Sequence, residues 1–470
     1  MPINHRSKHI ARSKYSLITN KAGYFGFCST QLENDFFAGS LDEKQEQKFS
    51  NLGLYSERQR ELPKLSNEFT AALRQTSSNK FEYAIIVPTL RCNLNCSYCQ
   101  VSRANENAAG YDWDANHIES FVNFVSNFGG QNIKIEFQGG EPSLRLDLVK
   151  EIIEKIKLIR PNSTFVICTN LSLVNEEFIA LLKRGDLTVS SSLDGPPEVH
   201  QSNRTKNQQS TGIFFDNLKF ILKNFGPDKI SLLPTIADYT QCTKIIDFFS
   251  EQGLGEIFLR PVNYQGFARK KFTEVSTESE DWLDNYIQSI DYICEKNTKS
   301  DHKIIETGLA IHLSRIFNAK SNNYVDLRNP NPLGKDYFVF DYDGTIYPTD
   351  EARMLSRIGL IDLKIGDLSS GLNEDTITLM NSKNSNYGDP VCDQCTYQPY
   401  CGVDNIDKIS RYGTTDIKTS DTHFCKTHYG IFDHIMEKIA KRDEAFLLTA
   451  SLCMTGKYEI LSIFGGRHID

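Results

Sequence analysis

Apolar runs recur at short intervals through the middle of the chain and alternate with helical stripes. Strand-like runs fall at 82–88, 132–137, 164–169, 187–193, 229–235 and 256–261. Amphipathic stretches fill the gaps at 114–128, 146–159, 174–184, 211–224 and 241–251, with apolar positions three and four apart. Strict alternation of strand and helix predicts βα units, right-handed crossovers and a parallel sheet. The runs are short and rich in Val, Ile and Phe, which predicts strands buried on both faces. Six units are too few for an eight-fold barrel.

The flanks follow other patterns. Tyr15–Thr19 and Tyr24–Cys28 read as strands around the turn Asn20-Lys21-Ala22-Gly23. Ser29 or Thr30 then caps a helix through Phe37, and a second helix spans about Asp42 to Leu52. Met1–Lys14 is basic and has no apolar core, so it is expected to be a solvated tail and not a secretory signal. Downstream, helical periodicity covers Trp282–Glu295 and Glu306–Phe317, and Ser321–Lys335, rich in Asn and Pro, predicts an exposed link. Tyr337–Pro348 predicts a hairpin with its turn at Asp343-Gly344. Asp341, Asp343 and Gly344 hint at a calcium loop, but Ala352 stands where the ligand glutamate belongs, which excludes it. One or two amphipathic helices are expected from about His428 to Met454. The domains expected are 1–80, an N-terminal module; 81–262, the βα region; 263–333, a helical connector; and 334–470, a Cys-rich region with C-terminal helices.

Composition narrows the function. No stretch approaches eighteen consecutive apolar residues, so no membrane span is expected and the setting reads as cytoplasmic. A net charge of −8 disfavours a nucleic-acid partner. Twelve cysteines in such a chain point to metal sites more than to disulfides. Cys28, Cys168, Cys242, Cys294 and Cys453 are scattered and are expected to be small buried hydrophobes; His200 is expected on the surface.

The other seven cysteines form two groups. Cys92, Cys96 and Cys99 make a Cys-x3-Cys-x2-Cys array directly after the first apolar run. Pro88, Asn93 and Asn95 disfavour regular structure there, so the array sits in a loop at a strand's end. Chance would place about 0.008 such arrays in a chain of this cysteine content. Three thiolates suit an iron–sulfur cube with one open iron, whereas structural zinc takes four protein ligands. The second group, Cys392, Cys395, Cys401 and Cys425, supplies four thiolates. These suit either zinc or a [4Fe–4S] cluster, and spacing alone does not separate the two.

The three-cysteine array, with aromatic Tyr98 before its last cysteine, resembles the signature of the radical S-adenosylmethionine (SAM) enzymes. The resemblance implies a partial (β/α)6 barrel of α/β class, with function at the C-terminal ends of the strands. It also implies a [4Fe–4S] cluster on Cys92, Cys96 and Cys99 whose open iron chelates SAM. An electron from such a cluster cleaves SAM to a 5′-deoxyadenosyl radical, which removes a hydrogen atom from an unactivated C–H bond. Gly139-Gly140-Glu141-Pro142, at the second strand's end, matches the family motif that binds the SAM amino group. Glu141 is suited to accept from an ammonium. Ser192 and Arg204 match positions that contact the SAM ribose and carboxylate, and Asn170 is a weaker match.

The four-cysteine region, with Gly402 and the run Tyr397-Gln398-Pro399-Tyr400, resembles the SPASM extension of radical SAM peptide and protein maturases. The full SPASM pattern has seven cysteines and two auxiliary clusters. Here Thr349 and Asn405 replace two cysteines, and none lies between Tyr324 and Lys335. All three positions serve the first cluster, so the resemblance implies one auxiliary [4Fe–4S] cluster, on Cys392, Cys395, Cys401 and Cys425. In some relatives the aspartate at the place of Asp350 takes a proton from the substrate; Glu351 is its neighbour. The N-terminal hairpin and helices resemble winged-helix modules that add a leader peptide as a strand to a sheet edge.

Together these features resemble the B-type maturases of the His-Xaa-Ser system, carried by Pro88-Thr89-Leu90-Arg91-Cys92 and Tyr98-Cys99-Gln100-Val101-Ser102-Arg103. The expectation is an enzyme acting on a ribosomally made peptide or small protein by hydrogen abstraction and oxidative bond formation. A precursor substrate, a second radical SAM partner protein and an electron donor such as flavodoxin or ferredoxin follow from that resemblance. The alternatives are formylglycine formation in a sulfatase, peptide epimerisation with Cys168 or Cys242 as hydrogen donor, and a zinc-stabilised binding protein on a degenerate barrel.

Overall fold

The computed structural model describes residues 5–54, 61–75, 80–270, 275–320 and 324–470. Met1–Asn4 of the expected tail and Ser321–Asn323 of the expected link lie outside the described residues.

Strands β1 (His5–His9), β2 (Tyr15–Asn20) and β3 (Phe25–Ser29) form an antiparallel sheet in that order. The described part of the basic stretch therefore contains a strand, His5–His9, and is not a solvated tail. Arg6 and Ile10 are buried, and Arg6 finds oxygen partners far along the chain. Ser29 caps helix α1 (Thr30–Ala38), and Asp42 caps α2 (Glu43–Asn51) with a reciprocal capping box. Helix α3 (Glu61–Arg74) follows. The outer edge of β3 is occupied by the end of the chain: Phe27 N–H donates to Arg467 O at 2.7 Å, and Ile469 N–H donates to Phe27 O at 2.8 Å.

The main sheet has nine strands. Five are parallel and come from the βα region: β4 (Phe81–Thr89), β5 (Gly129–Gly139), β6 (Thr164–Thr169), β7 (Leu187–Ser192) and β8 (Ile230–Leu233). The predicted helices lie between them as α4 (Ala115–Phe128), α5 (Leu146–Ile159), α6 (Glu176–Leu182) and α7 (Gln208–Phe225), with α8 (Cys242–Glu251) after β8. On the other side of β4 lies the downstream hairpin, β9 (Tyr337–Phe340) and β10 (Thr345–Tyr347), with β9 parallel to β4. Two-residue strands, β11 (Gly366–Asp367) and β12 (Gly371–Leu372), complete the sheet.

Two expectations about the sheet need correction. The run 256–261 does not extend it as a sixth strand. Glu256–Ile257 pairs with Ile305–Glu306, and Arg260–Pro261 pairs with Thr235–Ile236, each as a separate two-residue ladder. Between them Leu259 N–H donates to the Glu306 carboxylate at 3.1 Å, and Pro261 has no donor, so the ladder cannot run on. Nor are the parallel strands buried on both faces. Ile133, Ile135 and Phe137 are buried in the hydrophobic core, while Lys134, Glu136 and Gln138, at alternate positions on β5, line a cavity.

The connector forms helices α9 (Val275–Lys299) and α10 (Thr307–Phe317). The expected exposed link is folded inward where it is described: Leu327, Arg328, Asn329 and Leu333 are buried. Arg328 donates to Asn331 Oδ1 at 2.9 Å and pairs with Asp336, which satisfies a buried guanidinium. The Cys-rich region adds α11 (Asp350–Arg357), α12 (Asn405–Tyr412), α13 (His423–Lys441) and α14 (Glu444–Thr455). His200 is buried at 1 % exposure and stacks on Phe214 at 4.0 Å between ring centroids, correcting its surface placement. Among the described residues no helix is long and apolar enough to cross a membrane.

Candidate active site

The parallel strands end around a cavity of about 1160 Å³. This exceeds the ~300–1,000 Å³ of ordinary small-molecule pockets, so it has room for a cofactor and a segment of a second molecule. Cys92, Cys96, Tyr98, Cys99, Gly139, Gly140, Glu141, Asn170, Ser192, Arg204, Asp350 and Glu351 all line it. The topology thus brings residues from six separate stretches to one mouth.

The cysteine loop leaves β4 and is tied back at its base. Arg91 donates to the Asp112 carboxylate at 2.9 and 2.7 Å, and Thr89 Oγ1 donates to the same group at 2.6 Å. Arg91–Cys92 pairs with Ala104–Asn105. The end of β5 then packs on this loop. Gly140 N–H donates to Thr89 O at 3.1 Å and Glu141 N–H to Arg91 O at 2.7 Å. A Cβ on Gly140 would stand 2.1 Å from Arg91 O, and Gly139 has φ +124° with Thr89 O also too close for a Cβ. The two glycines are therefore demanded by the protein's own cysteine loop, before any ligand is considered. Pro142 is buried and opens a short 3₁₀ turn to Arg145.

The Glu141 carboxylate is fully buried and accepts from Thr169 Oγ1 at 2.6 Å, Asn170 N–H at 2.7 Å and Ser143 N–H at 3.0 Å. Burial pushes its carboxyl pKa up, against these donors. It braces the ends of β5 and β6. Asn170 Nδ2 donates to Asn93 Oδ1 at 2.9 Å and lies 3.9 Å from Cys92 Sγ, which fixes the first cysteine's turn.

Tyr98 is buried and its hydroxyl bonds Asp194 in a short contact. Arg204 Nε donates to Tyr98 Oη at 2.8 Å and pairs with Asp194 at 3.2 Å; its Nη1 lies 4.0 Å from Cys96 Sγ. Arg204 sits in a π-helical turn, Gln201–Thr205. Burial lowers its pKa, but Tyr98, Asp194 and Cys96 outweigh that and raise it, so it is a permanent cation beside the cysteines. Asp194, read from sequence as a turn residue, holds both partners. Asp350 opens α11, which Thr349 caps, and its carboxylate is oriented by Arg353 Nε at 2.7 Å. Arg353 is itself fully buried and faces Asp341 at 3.5 Å.

The second thiol group comes from loop 392–401 and the first turn of α13. Cys401 feels Cys395, Cys425 and Cys392, and Cys425 feels Cys395, so the four thiols share one neighbourhood. Burial, then these neighbours, raises Cys401, and burial with Cys395 and Asp389 takes Cys425 up to about 11. Burial, followed by the Glu141 charge, likewise takes Cys92 to about 12. All twelve thiols are free. Among the described residues no three His, Cys, Asp or Glu side chains converge tightly enough for a single metal ion. A cubane spreads its thiolate ligands over a larger body. Both donor sets fit such a cluster: each is all-sulfur, largely buried, and receives a backbone N–H on sulfur, from Leu94 to Cys92 and from Tyr397 to Cys395, at 3.4 Å each.

The sequence reading missed one cluster in the cavity. The Glu136 carboxylate accepts from Gln138 Nε2 at 2.5 Å, Tyr83 Oη at 2.6 Å and Cys168 Sγ at 3.1 Å. Cys168 thus lines the cavity and is no inert core residue, whereas Cys242 is buried in the hydrophobic core. The polar alternation Lys134, Glu136, Gln138 within an apolar strand was the available signal.

Comparison with known proteins bears on this geometry. Residues 86–241 match the family model of the radical SAM superfamily. The chain therefore carries a radical SAM domain. It is 25% identical over 381 residues to the cysteine-type anaerobic sulfatase-maturating enzyme of Clostridium novyi, covering 74% of this chain and 93% of that one. An uncharacterized protein of Methanocaldococcus jannaschii is 34% identical over 116 residues, 24% of this chain and 39% of that protein's length. In fold, the chain resembles anSMEcpe with bound AdoMet at TM-score 0.60 and 19% identity, covering 77% and 99% of the two chains. It also resembles Streptococcus suis SuiB bound to precursor peptide SuiA at TM-score 0.50 and 13% identity, covering 87% and 96%.

Proposed function

We propose that this chain is a radical SAM maturase that oxidises a ribosomally made peptide or small protein, with a His-Xaa-Ser-containing precursor as first candidate. The single observation that carries the reading is the shared cavity, where the three-cysteine loop, Arg204, Ser192 and Asp350 face one space larger than a small-molecule pocket. Bound there, a cluster with SAM would supply a radical able to abstract hydrogen, and a second cluster on Cys392, Cys395, Cys401 and Cys425 an outlet for electrons. The chain's own residues do the rest. Arg204 and Ser192 would hold an anionic and hydroxylated cofactor at the ends of β7 and the π turn. Asp350, oriented by Arg353, would take a proton from the substrate. A leader segment would add to the N-terminal sheet at β1, because the edge of β3 is already taken.

A second reading is epimerisation. It is favoured by Cys168, whose thiol lines the cavity on β6 and donates to Glu136. Formylglycine formation in a sulfatase is a third, carried by the alignment with the Clostridium novyi enzyme.

The test is anaerobic reconstitution and reduction with SAM, scoring 5′-deoxyadenosine against a Cys96→Ala control. Candidate peptides are then added and weighed. Loss of two hydrogens supports cross-linking. Conversion of a cysteine's thiol-bearing carbon to an aldehyde, with sulfur released as sulfide, supports the sulfatase reading. An unchanged mass in ordinary water, with deuterium taken up when the solvent is heavy water, supports epimerisation. No cleavage with any peptide present overturns all three.

A further inference from the structure

The N-terminal sheet is fastened to the four-cysteine loop at several points. Thr19 Oγ1 donates to Thr396 O at 2.9 Å, and Tyr400 Oη donates to Gly23 O at 2.9 Å. Asp433 accepts from Tyr397 Oη at 2.6 Å and also binds Lys8 of β1. The deepest contact is Arg6. Its Nε donates to the carbonyl of Asp393, between Cys392 and Cys395, at 2.6 Å, and its Nη2 donates to Gln398 Oε1 at 2.6 Å.

The third nitrogen is the informative one. Arg6 is nine-tenths buried, and its Nη1 has no hydrogen-bond partner. Among the described residues no carboxylate forms an ion pair with it. The Asp393 carboxylate is turned instead to Gln398 Nε2 at 2.7 Å and Gly388 N–H at 3.3 Å. The Asp393 charge still acts on Arg6, but a buried guanidinium with no directly paired carboxylate and an unmatched N–H is unfavourable. The other negative-going groups it faces are Tyr387, Cys395 and Cys392. Cys395 in turn faces Lys8 as well as Arg6, and Cys401 faces Arg315, whose Nε is held by Tyr400 O at 2.9 Å. Cations from two parts of the chain thus surround four thiols that, as thiolates on a cubane, would carry net negative charge.

We propose that Arg6 belongs to the redox site: its free Nη1–H donates to a thiolate or sulfide of the auxiliary cluster and offsets the cluster's charge, so that the N-terminal strand tunes its reduction potential. The proposal rests on the iron–sulfur reading of Cys392, Cys395, Cys401 and Cys425. Arg6 is a positioning and tuning residue; it touches no substrate. A nearby cation and a hydrogen bond to sulfur both favour the reduced, more negative cluster, so each raises the potential.

The test uses the full chain with Cys92, Cys96 and Cys99 all changed to Ala, so that iron binds only at the second site. After anaerobic reconstitution, iron, sulfide and zinc are measured and the cluster is titrated by EPR. Arg6→Met is expected to keep its iron and shift the midpoint to more negative potential, and Arg6→Lys to recover most of the shift. With ¹⁵N-arginine incorporated, pulsed EPR of the reduced parent cluster is expected to show ¹⁵N coupling, which needs no Arg6 variant to fold. An iron-loaded parent without that coupling, or a midpoint unmoved in Arg6→Met, overturns the role of Arg6 alone. A parent that takes zinc and no iron overturns the iron–sulfur reading and the proposal with it.

Discussion

The Cys-rich region of the chain contains two neighbourhoods filled in different ways. Around Cys392, Cys395, Cys401 and Cys425 the interior is sulfur, ringed by Arg6, Lys8 and Arg315. Two positions where the SPASM resemblance would add cysteines, Thr349 and Asn405, stand within three residues of members of a neighbourhood built of carbon. Leu333, Ala352, Leu355, Leu363 and Ile406 form one buried cluster, beside Thr349 and Asn405. Thr349 caps α11, and Asn405 Nδ2 donates to Asn384 Oδ1 at 2.9 Å within a network of asparagines. One neighbourhood is arranged to stabilise negative charge, the other to exclude water.

Several experiments would break or sharpen that contrast. The largest effect is expected from Cys401→Ser, which should abolish iron binding at the second site while Leu355→Ala leaves the iron count unchanged; metal analysis of the two variants decides it. Leu355→Ala is instead expected to cost about 2–5 kcal/mol of stability, read by denaturant unfolding, because Leu355 is fully buried in the apolar cluster.

Acid should weaken the four-cysteine side through His312, which lies against His428 on α13 at 2.9 Å. Burial lowers His312 to about 4 from an ordinary 6.5. The unfolded chain therefore binds a proton that the folded chain refuses between those values. Stability should be fully present above about pH 6.5 and fall toward pH 4 by about 1.4 kcal/mol per unit. His312→Gln should remove that one contribution and make the slope shallower, while His428, which burial also lowers, keeps its own.

Asn331 Nδ2 donates to Val403 O at 3.0 Å and its Oδ1 accepts from Arg328, so Asn331→Ala should cost about 1–3 kcal/mol by leaving buried partners unmatched. The smallest effect is a null one. Thr349→Cys with Asn405→Cys should add no iron, because Thr349 is engaged as the cap of α11 and Asn405 with Asn384, next to an apolar cluster that offers no further ligand; added iron would show that the contrast is only ligand-deep.

Much of this could be read before any coordinates. The spacing of Cys92, Cys96 and Cys99 after an apolar run, the Gly-Gly-Glu-Pro stretch and the alternation of strand and helix are local signals, and each survives as a local feature. Helices such as Leu146–Ile159 and strands such as Thr164–Thr169 match their expected bounds because their periodicity is uninterrupted. Other readings failed where a residue's partner lies on a different element. His200 is polar by type but lies beneath Phe214. Arg6 sits in a basic run that reads as solvated, and it is buried because loop 392–401 covers it. The polar face of β5 was hidden because mean apolarity of a strand does not say which face meets a cavity.

The sequence by itself determined which residues can do chemistry and in what order they follow the strands, because ligand spacing and hydrophobic periodicity act over a few residues. The tertiary structure decided which of them meet. Parallel pairing places Cys168 beside Glu136 and opens the strand ends on one cavity. The docking of β1 against the cysteine loop sets a buried cation beside sulfur across almost four hundred residues. Contacts of that separation depend on how whole elements pack, and no local pattern encodes them.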